Sequence, residues 1–326
     1  NELEQSGSIF HTTTDSEVIA YIIVQERLRT PSIEEAVYEA MGRIEGAYSL
    51  VISSPTKLIA ARDPHGFRPL ALGKTPEGCY VVASETCALN AIGAEFVRDI
   101  EPGEIVVIDA DGANTYYKHE GCKKSICIFE YIYFARPDSV MDGVSIHAAR
   151  DTAGRLLAKQ HPVEADIVIG VPDSGLDAAI GYSRESGIEF GMGFVRNNYI
   201  GRTFIKPTQE QRASSVSIKL NVLAENIRGK RVVMVDDSIV RGTTSADIIR
   251  LLKNAGAKEV HVRISSPTIH YTCPYGTDIP TREELTSNHH SVDELCELMR
   301  NNWEGQENSR RWRICRRYRL YFHLFF

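Results

Sequence analysis

No stretch of the chain approaches the ~20 apolar residues that cross a bilayer, and no basic segment followed by an apolar run opens it. Membrane partners and export are therefore not expected, and the expected location is the cytoplasm. A basic excess is missing too: the formal net charge is -6, against the strongly basic face of a nucleic-acid binder. That leaves small molecules as the expected partners. Cysteine is sparse and odd in number, seven residues at Cys79, Cys87, Cys122, Cys127, Cys273, Cys296 and Cys315. Without an export signal, free thiols or cluster ligands are expected rather than disulfides. Internal repeats are absent, and so is the Walker pattern G-x-x-x-x-G-K-[ST]. The opening NELEQSG reads as the inside of a helix, so the chain is expected to be a fragment.

What is present fills about two domains, since 326 residues exceed the ~150 of a typical one and 43% are hydrophobic, enough for two cores. From Ser16 to Leu28 and from Ser32 to Ile44 apolar residues recur at helical spacing, with Asp15 and Ser32 as N-cap candidates. Short apolar runs follow at Ala47 to Ile52, Leu58 to Ala61, Tyr80 to Ala83 and Ile105 to Ile108, parted by turn residues. Cys79 and Cys87 fall in strand-like runs and read as packed residues. Helices followed by strands predict an α+β domain over residues 1–124. From 125 to 300 the order becomes alternating: strands at Asp166 to Val171, Val232 to Val235 and Lys258 to Ile264, helices such as Thr244 to Ala255 with Gly256 as C-cap. This predicts an α/β domain with a parallel sheet and flanking helices.

Residues 301–326 depart from everything before them. Both tryptophans, Trp303 and Trp312, lie there among Arg310, Arg311, Arg313, Arg316, Arg317 and Arg319, ahead of the apolar run Leu320 to Phe326. Such a tail reads either as a membrane-surface or nucleic-acid patch, or as sequence foreign to the fold, such as a wrong reading frame or an assembly error. Neither helical nor strand period carries through it, which favours the second.

The chemistry concentrates in RVVMVDDSIVRGTTS, Arg231 to Ser245. An apolar strand runs into Asp236 and Asp237, and Ser238 to Ser245 leads into a helix holding Ile248, Ile249, Leu251 and Leu252. Gly242 allows a sharp turn, and the amides of Arg241 to Ser245 at the helix N-terminus offer donors and partial positive charge to a phosphate. The hydroxyls of Thr243, Thr244 and Ser245 add donors. Adjacent acids at the carboxyl end of a strand can hold two ribose hydroxyls, directly or through Mg²⁺, and stabilise a cationic sugar transition state. A lone Asp-Asp pair is more often a helix cap; two acids, a glycine and three hydroxyl residues between strand and helix are far more specific. A second strand ends in Val171-Pro172-Asp173-Ser174-Gly175, an ordinary turn composition alone but a plausible pyrophosphate site beside the first loop, with Ser174 reaching its metal.

These residues, with ARDPHGFRPLALG from Ala61, CIFEYIYFARPDS from Cys127 and GFVRNNYIGRTFIKPTQEQR from Gly193, resemble the glutamine phosphoribosylpyrophosphate amidotransferases over about Gly7 to Leu298. The resemblance implies part of an N-terminal-nucleophile glutaminase domain followed by a type I phosphoribosyltransferase domain. The family converts 5-phosphoribosyl-1-pyrophosphate (PRPP), glutamine and water to 5-phosphoribosylamine, glutamate and pyrophosphate with Mg²⁺, the first committed step of purine synthesis. By position, Asp236 and Asp237 would hold the ribose hydroxyls and, with Ser174, the metal, and Ser238 would be a further PRPP-binding residue. Arg241, Gly242, Thr243, Thr244 and Ser245 would take the 5-phosphate. Arg196 to Arg212 would close over PRPP, bringing Tyr199 and Arg202 to the pyrophosphate as catalytic groups and excluding water. Arg196 departs from the lysine of some members. Phe129, Tyr133, Phe204 and Ile205 match positions lining an ammonia path, where an apolar wall suits neutral ammonia; from the residues alone they read as core packing.

Larger departures lie in the other half. The family's nucleophile is a cysteine at the mature N-terminus, with an arginine and an Asn-Gly oxyanion pair, and no such cysteine stands in this sequence. Asp15 matches the acid that holds the glutamine amino group, without its partners, so ammonia rather than glutamine is the expected nitrogen donor. Cys127 and Cys273 match two of the four thiolates that bind a [4Fe-4S] cluster in one branch; Cys296 and Cys315 lack the C-x-x-C spacing of the others, so an incomplete cluster is expected. The family also implies homo-oligomers and inhibition by purine nucleotides. Three other readings share the PRPP loop: a salvage phosphoribosyltransferase, a PRPP-sensing regulator and an inactive gene fragment. The glutaminase-like half argues against the first, and the acidic composition against the second.

Overall fold

The computed structural model describes residues 2–5, 7–118, 121–197, 220–275, 281–295 and 297. Tyr199, Arg202, Phe204, Ile205, Cys296, Cys315 and the whole tail from 301 lie outside them. The chain divides into two units, one formed by residues 1–130, 138–144 and 273–277, the other by 131–137, 145–272 and 278–326.

In the first unit the helices Asp15–Arg27 and Ile33–Met41 precede seven strands: β1 (Ser49–Ser53), β2 (Leu58–Arg62), β3 (Ala71–Lys74), β4 (Tyr80–Ala83), β5 (Glu95–Asp99), β6 (Glu104–Asp109) and β7 (Gly112–Lys118). Ser32 caps the second helix, its hydroxyl accepting from the Glu35 amide at 3.2 Å. The strands form two antiparallel sheets, β1-β2-β6-β7 and β4-β3-β5. Period-two alternation explains how they stack. Ile59, Ala61, Ile105 and Val107 face the helices with Ile23, Val37 and Ala40, while Ala60 and Val106 join Leu70, Leu72 and Ile100. The central strands β2 and β6 are thus apolar on both faces over Leu58 to Ala61 and Ile105 to Ile108, where their sequences run apolar without a break.

The expected placement of two cysteines needs correction. Cys79 is exposed in the turn before β4, and Cys87 is buried in the helix Thr86–Ala91 rather than in a strand. Leu89 of that helix packs against Ala71 and Ala94, so helical packing governs from Thr86 onward.

The second unit is the expected parallel design. The short strands β8 (Val140–Met141) and β9 (Val144–Ser145) lie at the boundary, residues 138–144 falling in the first unit; then come the helix Ile146–Gln160, β10 (Ile167–Gly170), the helix Gly175–Ser186, β11 (Phe194–Arg196), β12 (Leu220–Val222), β13 (Arg231–Asp236), the helix Thr243–Asn254 and β14 (Glu259–Ile264). Strands β10, β13 and β14 lie parallel in that order, with Val232 beside Ile167 and Val260. The run Val232 to Val235 feeds two cores at once: Val232 and Met234 meet Ile248, Ile249 and Leu252, whereas Val233 and Val235 meet Ala178, Ala179 and Tyr182. The helices Ile146–Gln160 and Gly175–Ser186 share the second face and approach backbone to backbone. A Cβ at Gly154 would lie 1.9 Å from the Ala178 carbonyl, and one at Gly181 2.0 Å from that of Asp151.

Candidate active site

The site lies at the carboxyl ends of the parallel strands, where open α/β sheets place their ligands. Strand β13 delivers Asp236 and Asp237, and both are only 7% exposed. Strand β10 runs into the turn Pro172-Asp173-Ser174, whose first peptide is cis, and the helix from Gly175 follows at once. Glycine is required there, because a Cβ would meet the Val235 carbonyl at 2.5 Å. That approach brings the two strand ends together. Ser174 Oγ donates to Asp237 Oδ1 at 2.6 Å, Ser238 Oγ donates to Asp237 Oδ2 at 2.6 Å, and the Asp237 amide donates to Asp236 Oδ1 at 2.9 Å.

Two acids so close and so dry cannot both ionise freely. Burial first, and the Asp237 charge second, push the Asp236 carboxyl well above the usual carboxylate range, and no cationic side chain among the described residues offsets them. Asp237 already accepts from two hydroxyls, whereas no positive charge among the described residues balances the pair, and a divalent cation would bring it. No group of three or more His, Cys, Asp or Glu able to hold a metal occurs among the described residues. A cation here would be held by two carboxylates, completing its shell with water and substrate phosphates as Mg²⁺ usually does.

The loop after Asp237 turns at Gly242, whose φ of +76° favours glycine, and enters the helix Thr243–Asn254. No side chain caps that helix, so its leading amides face outward as anion donors. Thr243 and Thr244 are exposed, whereas Ser245 is 3% exposed. Arg241 is paired through Nε with Glu284 at 2.5 Å. Arg196 is paired with Asp173 of the serine turn.

Sequence reasoning missed two contributors. The amides of Ser265 and Ser266 donate to the Asp236 and Asp237 carbonyls at 3.1 and 2.8 Å, fixing the backbone of the acids. The segment Arg282–His289 meets the phosphate loop through Glu284 and through the Thr286 amide, which donates to the Val240 carbonyl at 3.0 Å. Neither has a sequence signal, because both arise from packing between distant stretches.

The remaining candidates scatter. Asp15 is exposed and borders a cavity of about 740 Å³ in the first unit, with Phe10, Thr12, Thr14 and Arg43. Cys127 and Cys273 are half-buried in that same unit and within electrostatic reach of one another; burial pushes the Cys127 thiol up. Phe129 is half-buried, and Tyr133 is 39% exposed rather than packed in a core.

Comparison with known proteins bears on both units. Residues 1–91 match a glutamine amidotransferase domain and residues 145–266 a phosphoribosyl transferase domain. An amidophosphoribosyltransferase of Archaeoglobus fulgidus is 48% identical over 296 residues, covering 90% of this chain and 64% of the relative. One of Bacillus subtilis is 47% identical over 294 residues, covering 90% and 61%. A structure of the glutamine PRPP amidotransferase from B. subtilis, complexed with ADP and GMP, superposes with a TM-score of 0.81 at 46% identity, covering 91% of this chain and 65% of that one. The chain spans somewhat under two thirds of the length of these relatives. Over that span it belongs to the amidophosphoribosyltransferase family, with a glutamine amidotransferase domain followed by a phosphoribosyltransferase domain.

Proposed function

We propose that the 326-residue chain carries the phosphoribosyl-transfer half of the amidophosphoribosyltransferase reaction, in which ammonia attacks C1 of PRPP and pyrophosphate leaves, giving 5-phosphoribosylamine. The observation that supports this most is the Ser174-Asp237-Asp236 constellation at the ends of β10 and β13. The two carboxylates accept from the ribose hydroxyls, and their charge favours the oxocarbenium-like sugar as the C1–O bond to pyrophosphate breaks. Arg241 to Ser245 take the 5-phosphate at the head of the helix. Ser174, Asp236 and Asp237 would hold Mg²⁺, which would supply positive charge to the pyrophosphate leaving group. Tyr199 and Arg202 enter only as proposals carried by the family pattern.

In the whole enzyme glutamine supplies the nitrogen, with Asp15 holding its amino group beside the 740 Å³ cavity, and ammonia passes along Phe129, Tyr133, Phe204 and Ile205. At the phosphoribosyl site the attacking species would be ammonia in either case, delivered from glutamine or taken from solution. Cys127 and Cys273 would provide two thiolates of a cluster that needs four, so an incomplete set is proposed and no step runs through it. Purine nucleotides as inhibitors, a homo-oligomer and a cytoplasmic location complete the proposal; among the described residues no helix is long and apolar enough to cross a membrane. A salvage transferase is disfavoured by the glutamine amidotransferase match over residues 1–91. The test is ammonium-dependent release of pyrophosphate from PRPP with Mg²⁺; a folded chain that releases none contradicts the proposal.

A further inference from the structure

We propose that Glu284 is a positioning residue for the phosphate loop, holding the Arg241 guanidinium ready for the 5-phosphate; the inference rests on the phosphoribosyl reading of the site. Arg241 leaves the loop at an exposed position, and a free arginine there would sample many rotamers that a phosphate must then order. Glu284 removes that freedom through one edge only. Its Oε2 accepts from Arg241 Nε at 2.5 Å, while Nη1 and Nη2 make no hydrogen bond among the described residues. A guanidinium gripped at Nε keeps its two terminal nitrogens for an anion, the pair suited to bidentate contact with phosphate.

The segment that carries Glu284 is fixed to the same loop independently. Leu285 is fully buried, the Thr286 amide donates to the Val240 carbonyl at 3.0 Å, and Thr286 Oγ1 lies 3.6 Å from where a Gly242 Cβ would be. Backbone and side chain of neighbouring residues thus clamp Val240, Arg241 and Gly242 in succession. Glu284 is also an anion near a phosphate site, so competition for Arg241 is the opposite possibility. Its side chain is 44% exposed and screened by water, and it engages the edge of the guanidinium that a phosphate does not need, which favours positioning.

The experiment measures binding of ribose 5-phosphate, a ligand with the phosphate and diol but no leaving group, by calorimetry to the full chain and to Glu284→Ala, Glu284→Gln, Arg241→Ala and the Arg241→Ala/Glu284→Ala pair. Binding to the unaltered chain is the control for the site itself; its absence sinks the phosphoribosyl reading rather than the role of Glu284. Positioning predicts that Glu284→Ala weakens binding about fivefold, that Glu284→Gln, which keeps an acceptor at the same reach and sheds the charge, recovers most of the loss, and that Glu284→Ala changes nothing further once Arg241 is alanine. Tighter or unchanged binding by Glu284→Ala overturns the proposal. So does an equal loss in the Arg241→Ala background, which would mean that Glu284 acts only through the fold.

Discussion

Asp236 is placed where a carboxylate is costly to bury: 7% exposed, one residue from a second acid, with no neutralising cation among the described residues. Its raised carboxyl is neutral in both folded and unfolded chains at strongly acid pH. As pH rises through the ordinary aspartate range the unfolded chain ionises first, so ligand-free stability falls until the folded group ionises too. Asp236→Asn keeps the acceptor for the Asp237 amide and removes the acid. It should raise the melting temperature of the ligand-free chain at pH 7 to 8, with the gain shrinking below about pH 4. A lower melting temperature at neutral pH would show that the acid is tolerated without strain. A site that stabilises its ligand at the expense of its own empty state is what a ribose or cation site should look like. Binding should show the same linkage: Mg²⁺ with PRPP should stabilise the chain more at pH 8 than at pH 5, because the acids must be ionised to receive them, and a thermal-shift series across pH checks it.

Among the elements, the parallel sheet was the easiest to read. The runs at Val232 to Val235 and Asp166 to Val171 are apolar because each strand feeds a core on either face, and the structure sets their ends one residue from the expected positions. Local chemistry also marked Gly242 and the capping Ser32. What local reading did not reveal depends on pairing across long separations: the amides of Ser265 and Ser266 under the acids, the Glu284 contact to Arg241, and strands β3, β5 and β7, whose alternation is broken by charged residues and turns. The helix pair Ile146–Gln160 and Gly175–Ser186 was equally hidden, since Gly154 and Gly181 matter only once the two backbones touch. Alanine at either position would place a Cβ within 2.0 Å of a carbonyl oxygen, so Gly154→Ala or Gly181→Ala should cost ~1–3 kcal/mol or more in urea unfolding. A change under ~0.5 kcal/mol would mean that the helices part easily and that the contact does not define the unit.

Across the whole molecule, an antiparallel double-sheet unit and a parallel phosphoribosyltransferase unit lie on one chain, and both resemble the same family over nine tenths of its length. The first unit holds Asp15 at the border of its cavity. Cys127 and Cys273 supply two of the four thiolates that a cluster needs, so anaerobic preparations of the 326-residue polypeptide should contain far less than four irons per chain; a stoichiometric iron-sulfide complement would overturn this. The measurement that bears most directly on the phosphoribosyl site is pyrophosphate release from PRPP and Mg²⁺ with ammonium chloride, run side by side on the chain and on Asp236→Asn. Release with ammonium, reduced on the order of 10²-fold or more in a variant that remains folded, is the expected result. Equal release from both proteins would remove the paired acids from the chemistry and with them the proposed function.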